Sequence, residues 1–122
     1  DRVCIGSFSD KRLQGIRDAF GAAVCTSMGP KEVAKLVARS ASHLPLPVTE
    51  HALVAQVPVS QGPIPVVTKQ FIRTAHTMGL EVHVWTIDDP VEIARLLDLG
   101  VDGVMSDDTR ALRDVFAARG HW

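Results

Sequence analysis

Several features that would place a chain in a specialised class are scarce or absent in this sequence. Only two of its 122 residues are cysteines, and Cys4 and Cys25 both lie in apolar runs, so we expect reduced core thiols and no disulfide framework. Thirteen basic and fourteen acidic residues give a formal net charge of −1, without the basic excess typical of nucleic-acid binding. No run approaches the roughly 20 apolar residues of a membrane-spanning helix. The sequence therefore predicts neither a nucleic-acid partner nor a membrane span.

Motifs that hold common cofactors are missing as well. Glycines occur singly at predicted helix ends, so there is no phosphate-binding P-loop and no dinucleotide fingerprint. The five histidines show no ligand spacing such as H-x-x-x-H with a paired acid; they are His43, His51, His76, His83 and His121. We expect the His83 imidazole to lie in the core with its hydrogen bonds satisfied, and His76 to lie on a helix surface.

Targeting signals are missing too, but the chain begins with Asp1 and enters an apolar run after two residues. This start is typical of a piece cut from a longer protein, so the missing signals say little about location. The compartment is left open, with the cytoplasm favoured.

The sequence does contain a regular alternation of strand-like and helix-like segments. Five apolar runs predict strands, at residues 3–8, 22–28, 52–57, 81–87 and 103–106. Segments with helical spacing follow them, and Ser9, Thr68 and Asp89 are the predicted N-caps of three helices. We expect Glu92 to complete the cap at Asp89 by reaching back to the cap amide. Three prolines within residues 58–67 rule out a central strand there.

Apolar strands that alternate with helices favour a parallel sheet covered by helices. A closed (βα)8 TIM barrel takes about 250 residues, so residues 1–122 would be a single domain that forms the C-terminal portion of a barrel, about five βα units. An open five-stranded flavodoxin-like sheet would fit the length with no part missing. Length favours the open sheet, whereas the motifs below favour the barrel.

Ligands bind at the carboxyl ends of the strands in both architectures. The polar and aromatic residues at these ends are Ser7, Phe8, Ser9, Thr26, Ser27, Gln56, Trp85, Thr86, Asp88, Ser106 and Asp107. In the fourth strand Val82 and Val84 alternate with His83 and Trp85. If the valines contact the helices, Trp85 faces the barrel interior near its mouth. Helix capping explains the neighbouring acids without a cation site; they are Asp89, Glu92, Asp107 and Asp108.

Residues 79–108 read GLEVHVWTIDDPVEIARLLDLGVDGVMSDD. This stretch resembles the C-terminal signature of the glycerophosphodiester phosphodiesterase family, which reads approximately V-x-V-W-T-V-N-D, a helix, then G-V-D-G-I-x-T-D near the end of a TIM barrel. The matching residues are Val82, Val84, Trp85, Thr86, Asp89, Gly100, Val101, Asp102, Gly103 and Asp107. Residues 3–8 resemble the family's strand that ends in Ser-Phe, and residues 66–82 resemble its penultimate helix. The sequence departs from the family at four positions, with Ile87 for Val, Asp88 for Asn, Ser106 for Thr and Thr109 for Pro.

The resemblance implies hydrolysis of a small-molecule glycerophosphodiester to an alcohol and glycerol 3-phosphate, assisted by Mg²⁺ or Ca²⁺. It also implies two catalytic histidines, in His-Arg-Gly and His-Asp motifs, with a Glu-x-Asp pair and a further Glu for the metal. None of these motifs occurs in this sequence. We therefore expect the catalytic residues and metal ligands to lie upstream and this chain alone to be inactive.

The resemblance places Trp85 on the wall of the substrate pocket, and the strand-end positions make Ser7, Phe8 and Gln56 further substrate-binding candidates. The alternative is a structural role, with Trp85 in the barrel core and Ser7 and Phe8 ending a strand and capping a helix. At the level of function, the alternative is a non-catalytic α/β signalling or interaction module. Half of a barrel would expose two sheet edges, so self-association through those edges is also expected.

Overall fold

The computed structural model describes residues 3–42, 47 and 51–121. The sequence predictions that involve Asp1 and His43 lie outside these residues. The helices are α1 (Asp10–Phe20), α2 (Pro30–Ser42), α3 (Lys69–Thr77), α4 (Pro90–Leu99) and α5 (Thr109–Ala118), and a 3₁₀ turn spans Gly21–Ala23. The strands are β1 (Cys4–Ile5), β2 (Cys25–Thr26), β3 (Val54–Val57), β4 (Ser60–Gln61), β5 (Ile64–Pro65), β6 (Glu81–Val84) and β7 (Gly103–Val104). None of the helices in this part of the chain combines the length and hydropathy needed to cross a membrane.

Five strands form a parallel arc whose spatial order follows the chain. β1 pairs with β2, a bridge between Ser27 and Val54 joins β2 to β3, β3 pairs with β6, and β6 pairs with β7. A flavodoxin-like sheet would instead place the first strand between the second and third. The flavodoxin-like alternative is therefore wrong for the described strands, and sequential order is the topology of a barrel wall.

The strands are shorter than the apolar runs predict. β1 covers Cys4–Ile5 instead of residues 3–8, and β2 covers Cys25–Thr26 instead of residues 22–28, part of which forms the 3₁₀ turn. A strand extends only where its backbone has a hydrogen-bonding neighbour, and apolar composition does not reveal where that neighbour ends.

The loop after β3 contains a short antiparallel ribbon that the sequence did not predict. Ser60 pairs with Pro65 and Gln61 with Ile64, and the turn between them uses Gly62 at φ 57, a conformation that glycine adopts without steric cost. The ribbon of β4 and β5 is separate from the parallel sheet. The prediction that residues 58–67 form no central strand is therefore confirmed.

Side chains alternate between the two faces of the arc. Ala55, Val57, Val82 and Val84 are fully buried on the convex face, in a core with residues of the helices, Leu36, Phe71, Ile72, Ala75 and Leu96. Because side chains alternate along a strand, Gln56, His83 and Trp85 point to the opposite, concave face. The condition under which Trp85 faces the barrel interior is therefore met.

The three predicted N-caps are confirmed by hydrogen bonds. Ser9 accepts from Arg12 N, Thr68 accepts from Phe71 N, and Asp89 accepts from Val91 N. These caps depend on residues two or three positions apart, which is why the sequence alone locates them.

The expected second half of the cap at α4 is wrong. Both carboxylate oxygens of Glu92 accept hydrogen bonds from the Arg95 guanidinium, at 2.6 and 2.7 Å, and these bonds hold the pKa of Glu92 below its ordinary value. A bidentate bond to a charged donor one turn ahead is stronger than a bond to one cap amide.

The contact that was predicted at α4, a first-turn carboxylate bound to the backbone amide before the helix, occurs instead at α2. There Glu32 Oε2 accepts a hydrogen bond from Gly29 N at 2.7 Å. The same carboxylate binds both terminal nitrogens of Arg17 at 2.9 and 3.0 Å. Arg17 also donates to the Thr26 hydroxyl at 2.9 Å and to the Ser27 carbonyl at 3.0 Å. This network fixes α1, the carboxyl end of β2 and the start of α2 against one another.

Candidate functional site

A cavity of about 830 Å³ lies at the carboxyl ends of β1, β2, β3 and β6. It continues outward between α2 and the β4–β5 ribbon. The described residues that line it are Gly6, Ser7, Phe8, Ser27, Met28, Pro30, Val33, Ala34, Val37, Gln56, Val57, Pro58, Gln61, Ile64, Val66 and Trp85. Its position is the one at which parallel α/β folds bind ligands.

The cavity brings together all four residues that were predicted to bind substrate. Ser7 and Phe8 follow β1, Gln56 lies in β3, and Trp85 follows β6. They are separated by up to 78 positions along the chain and meet because consecutive parallel strands end at the same edge. That these side chains bind substrate is still a prediction.

Trp85 and Phe8 form an aromatic corner of the cavity. Their ring centroids are 5.8 Å apart with an interplanar angle of 80°, the edge-to-face geometry that aromatic pairs favour. The Phe8 side chain is 85% exposed, so it is held mainly by this contact. The pair offers a flat apolar surface to a bound molecule.

Ser7 has a structural partner in addition to its place in the cavity. Its hydroxyl accepts a hydrogen bond from Ser9 N at 3.2 Å, and Ser9 in turn caps α1. Since a hydroxyl also carries a donor proton, Ser7 can still donate to a ligand.

Gln56 lies close to Gly6 and Ser27 across the concave face. A Cβ atom at Gly6 would be 2.7 Å from Gln56 Oε1 and 3.1 Å from Ser27 Oγ. Glycine at this position therefore leaves room for the Gln56 amide above β1. Ser27 was recognised in the sequence only as a strand-end residue, and here its buried hydroxyl lines the cavity.

The α2 and ribbon side of the cavity was missed by sequence reasoning. Val33, Ala34 and Val37 show only the spacing of a core-facing helix, and Ile64 lies in a segment that its prolines marked as irregular. No local signal indicates that the helix and the loop flank one cavity.

His83 was predicted to be a satisfied core imidazole, and the structure gives it a partner but places it half-buried on the concave face, not in the core. His83 Nε2 lies 3.2 Å from Glu81 Oε2. Its ring packs against Gly103, where a Cβ atom would be 2.7 Å from His83 Cδ2.

His76 lies at the amino-terminal end of the sheet, opposite the cavity. Its Nε2 is 2.8 Å from Asp102 Oδ2, and the same oxygen accepts from Val82 N at 2.8 Å. The VDG motif residue Asp102 is therefore a structural group that joins α3, β6 and the turn before β7.

The acids beside the cavity connect two loops. Asp88 Oδ1 accepts from Ser106 Oγ at 2.8 Å, from Asp107 N at 2.8 Å and from Asp108 N at 3.3 Å. The Ser106 hydroxyl and the two amides hold the pKa of Asp88 below its ordinary value. Asp108 caps α5 by accepting from two amides of the first turn. These carboxylates are thus committed to loop and helix ends.

The described residues do not fit a metal site. In residues 3–42 and 51–121 no three histidine, cysteine, aspartate or glutamate side chains gather closely enough to hold an ion.

The comparisons with known proteins agree on one family. A curated relative, the "Probable glycerophosphodiester phosphodiesterase 2" of Mycobacterium tuberculosis (strain ATCC 25618 / H37Rv), is 37% identical over 130 residues, covering 100% of this chain and 47% of the relative. The chain therefore spans about half the length of that relative. A crystal structure from Silicibacter pomeroyi DSS-3, of a protein assigned as a glycerophosphoryl diester phosphodiesterase, superposes with a TM-score of 0.70 and 22% identity, over 98% of this chain and 39% of that one.

The structural match confirms the predicted fold. Five βα units with sequential parallel strands correspond to part of a TIM barrel, consistent with its C-terminal portion. Enzymes of the matching family are generally metal-dependent. Residues 1–111 match the Glycerophosphoryl diester phosphodiesterase family over most of the chain, and the chain belongs to that family.

Proposed function

We propose that this chain forms the C-terminal half of a barrel enzyme that hydrolyses glycerophosphodiesters to an alcohol and glycerol 3-phosphate. The observation that carries the proposal is the cavity at the carboxyl ends of the strands, which Ser7, Phe8, Gln56 and Trp85 line together. Family membership supports the reaction class. We call the longer protein that would contain this chain the parent protein.

The catalytic groups of the parent protein would come from outside this chain. The sequence has no His-Arg-Gly, His-Asp or Glu-x-Asp motif, and its described residues gather no metal-binding cluster. A bound Mg²⁺ or Ca²⁺ would offset charge on the phosphoryl oxygens. The carbonyl oxygen and the NH2 group of the Gln56 amide, the Ser7 hydroxyl and the aromatic corner would orient the diester for that chemistry.

The pocket role of Trp85 is tested by Trp85→Ala in the parent protein. Loss of a large apolar contact, about 1.5–3 kcal/mol, should lower kcat/KM for glycerophosphocholine by roughly 10- to 100-fold. Phe20→Ala is the matched control, since Phe20 is 59% exposed on α1 and does not line the cavity. Equal effects of the two substitutions would contradict the pocket assignment.

The proposal that the catalytic groups lie outside this chain is tested with the 122 residues alone. We expect no hydrolysis of glycerophosphocholine above background with Mg²⁺ or with Ca²⁺. We also expect self-association in sedimentation, because the outer edges of β1 and β7 have no strand partner among the described residues. Robust turnover by this chain would mean that the catalytic residues have been misplaced.

A further inference from the structure

The cavity has two chemically different ends. At the strand ends it presents the hydroxyls of Ser7 and Ser27 and the amide of Gln56. At the other end its side chains are mainly aliphatic, Val33, Ala34 and Val37 of α2 and Ile64 and Val66 at the ribbon, and Gln61 of the ribbon is the one polar residue among the described lining residues there. The residues that line the apolar end belong to α2 and the ribbon, and this end is continuous with the end at Trp85.

None of the described residues that line the cavity is charged. The described lining therefore offers no carboxylate to a cationic group. An uncharged apolar group gains free energy by leaving water for the apolar end, whereas a cation would find no carboxylate there. The aromatic faces that attract cations, those of Phe8 and Trp85, lie at the strand ends instead.

The cavity is also larger than a glycerol phosphate needs. Its volume of about 830 Å³ lies in the upper part of the range of roughly 300–1,000 Å³ found for sites of drug-sized ligands. With the glycerol phosphate at the polar end, the remaining space runs between α2 and the ribbon.

We propose that the end of the cavity between α2 and the ribbon binds the alcohol portion of the diester, the part that leaves on hydrolysis. We further propose that this portion is an uncharged alkyl or aryl group. This inference rests on the proposed function, because it assigns the two ends of one glycerophosphodiester. The polar end orients the glycerol phosphate at the strand ends. The apolar end selects the leaving alcohol by burying it, and each buried methylene group should raise the affinity about fourfold.

The test compares two substrates of the parent protein, the n-hexyl ester of glycerol 3-phosphate and glycerophosphocholine. We expect kcat/KM to be at least tenfold higher for the hexyl ester. Ile64→Asp should lower kcat/KM for the hexyl ester at least tenfold and should not lower that for glycerophosphocholine, because the new carboxylate attracts the choline cation. Ile64 is 57% exposed, so the fold should tolerate the change.

Two further variants keep the result interpretable. Val91→Asp is the matched control, because Val91 is a 75% exposed aliphatic residue of α4 outside the cavity, and it should change neither substrate. Ala34→Leu narrows the apolar end from the exposed side of α2 and should likewise weaken the hexyl ester alone. No preference for the hexyl ester, or equal effects of Ile64→Asp on both substrates, would overturn the inference.

A binding measurement separates this inference from the proposed function. Equilibrium dialysis of the hexyl ester with metal chelated should show binding that Ile64→Asp weakens at least tenfold. If the parent protein binds the ester in this way but hydrolyses neither diester, the proposed reaction fails and the assignment of the apolar end stands. Hydrolysis of both diesters with unchanged binding in Ile64→Asp would overturn the inference and leave the reaction in place.

Discussion

Replacing Asp102 should destabilise the protein without altering its substrate site. Asp102 Oδ2 accepts from Val82 N and lies 2.8 Å from His76 Nε2, and Asp102 N donates to Val82 O at 2.9 Å. The Val82 side chain is fully buried. In Asp102→Ala the Val82 amide loses its side-chain acceptor in this part-buried bond.

The expected cost follows from that single amide. A buried donor left without an acceptor costs about 1–3 kcal/mol, and hydrogen bonds to charged groups lie in the upper part of this range. We expect Asp102→Ala to lower the free energy of unfolding by about 2–3 kcal/mol. At roughly 2–4 °C per kcal/mol for a domain of 150–250 residues, Tm should fall by about 4–12 °C.

Two further variants separate the contributions in urea and thermal unfolding of the parent protein. Asp102→Asn keeps an acceptor oxygen for Val82 N and should cost less than about 1 kcal/mol. His76→Ala removes only a partly exposed partner and should cost about 0–1 kcal/mol. The reasoning is refuted if Asp102→Ala costs no more than His76→Ala, or if kcat/KM falls with stability unchanged.

The remaining predictions concern two glycines and the Cys4 thiol. Gly103→Ala brings a Cβ atom to 2.7 Å from His83 Cδ2 and should lower the urea midpoint at a cost of about 1–3 kcal/mol, relieved by adding His83→Ala. Gly15→Ala, in open space within α1, should instead stabilise by about 0.5–1 kcal/mol, and a loss there would contradict the steric account. Burial raises the pKa of Cys4 to about 12, with a further contribution from its hydrogen bond to Cys25. Iodoacetamide should therefore modify Cys4 slowly at pH 8, and faster in Cys25→Ala, as followed by peptide mass spectrometry. Equal rates would refute the role of Cys25.

The sequence predicts the features that depend on residues close along the chain or on the alternation of side chains along a strand. The caps at Ser9, Thr68 and Asp89 are local, and the alternation of Val82 and Val84 with Trp85 places the indole on the concave face. Strand ends are less predictable, because a strand extends only as far as its neighbour does. The strand order, which decides between the barrel and the open sheet, depends on pairings such as Ser27 with Val54 that local pattern does not encode.

Hydrogen bonds and ion pairs between residues that are distant along the chain could not be predicted from the sequence. The acidic residue Glu32 reaches the Gly29 amide and binds Arg17, whereas Glu92 in the same helical position binds Arg95. Both carboxylates occupy the first turn of a helix. Which partner each takes depends on whether a guanidinium comes from another helix or from the next turn, and only the folded chain decides that.

The role of Asp88, which stands where the family has Asn, is likewise explained by its hydrogen bonds in the folded chain. Only Oδ1 of Asp88 accepts the bonds from Ser106 Oγ, Asp107 N and Asp108 N, and an asparagine offers a carbonyl oxygen in the same place. The position therefore requires an acceptor, not a charge. By tying the loop after β6 to the loop after β7, that acceptor fixes the chain that leaves Trp85. The acid-rich motif thus contributes to the cavity by holding one aromatic side chain in position.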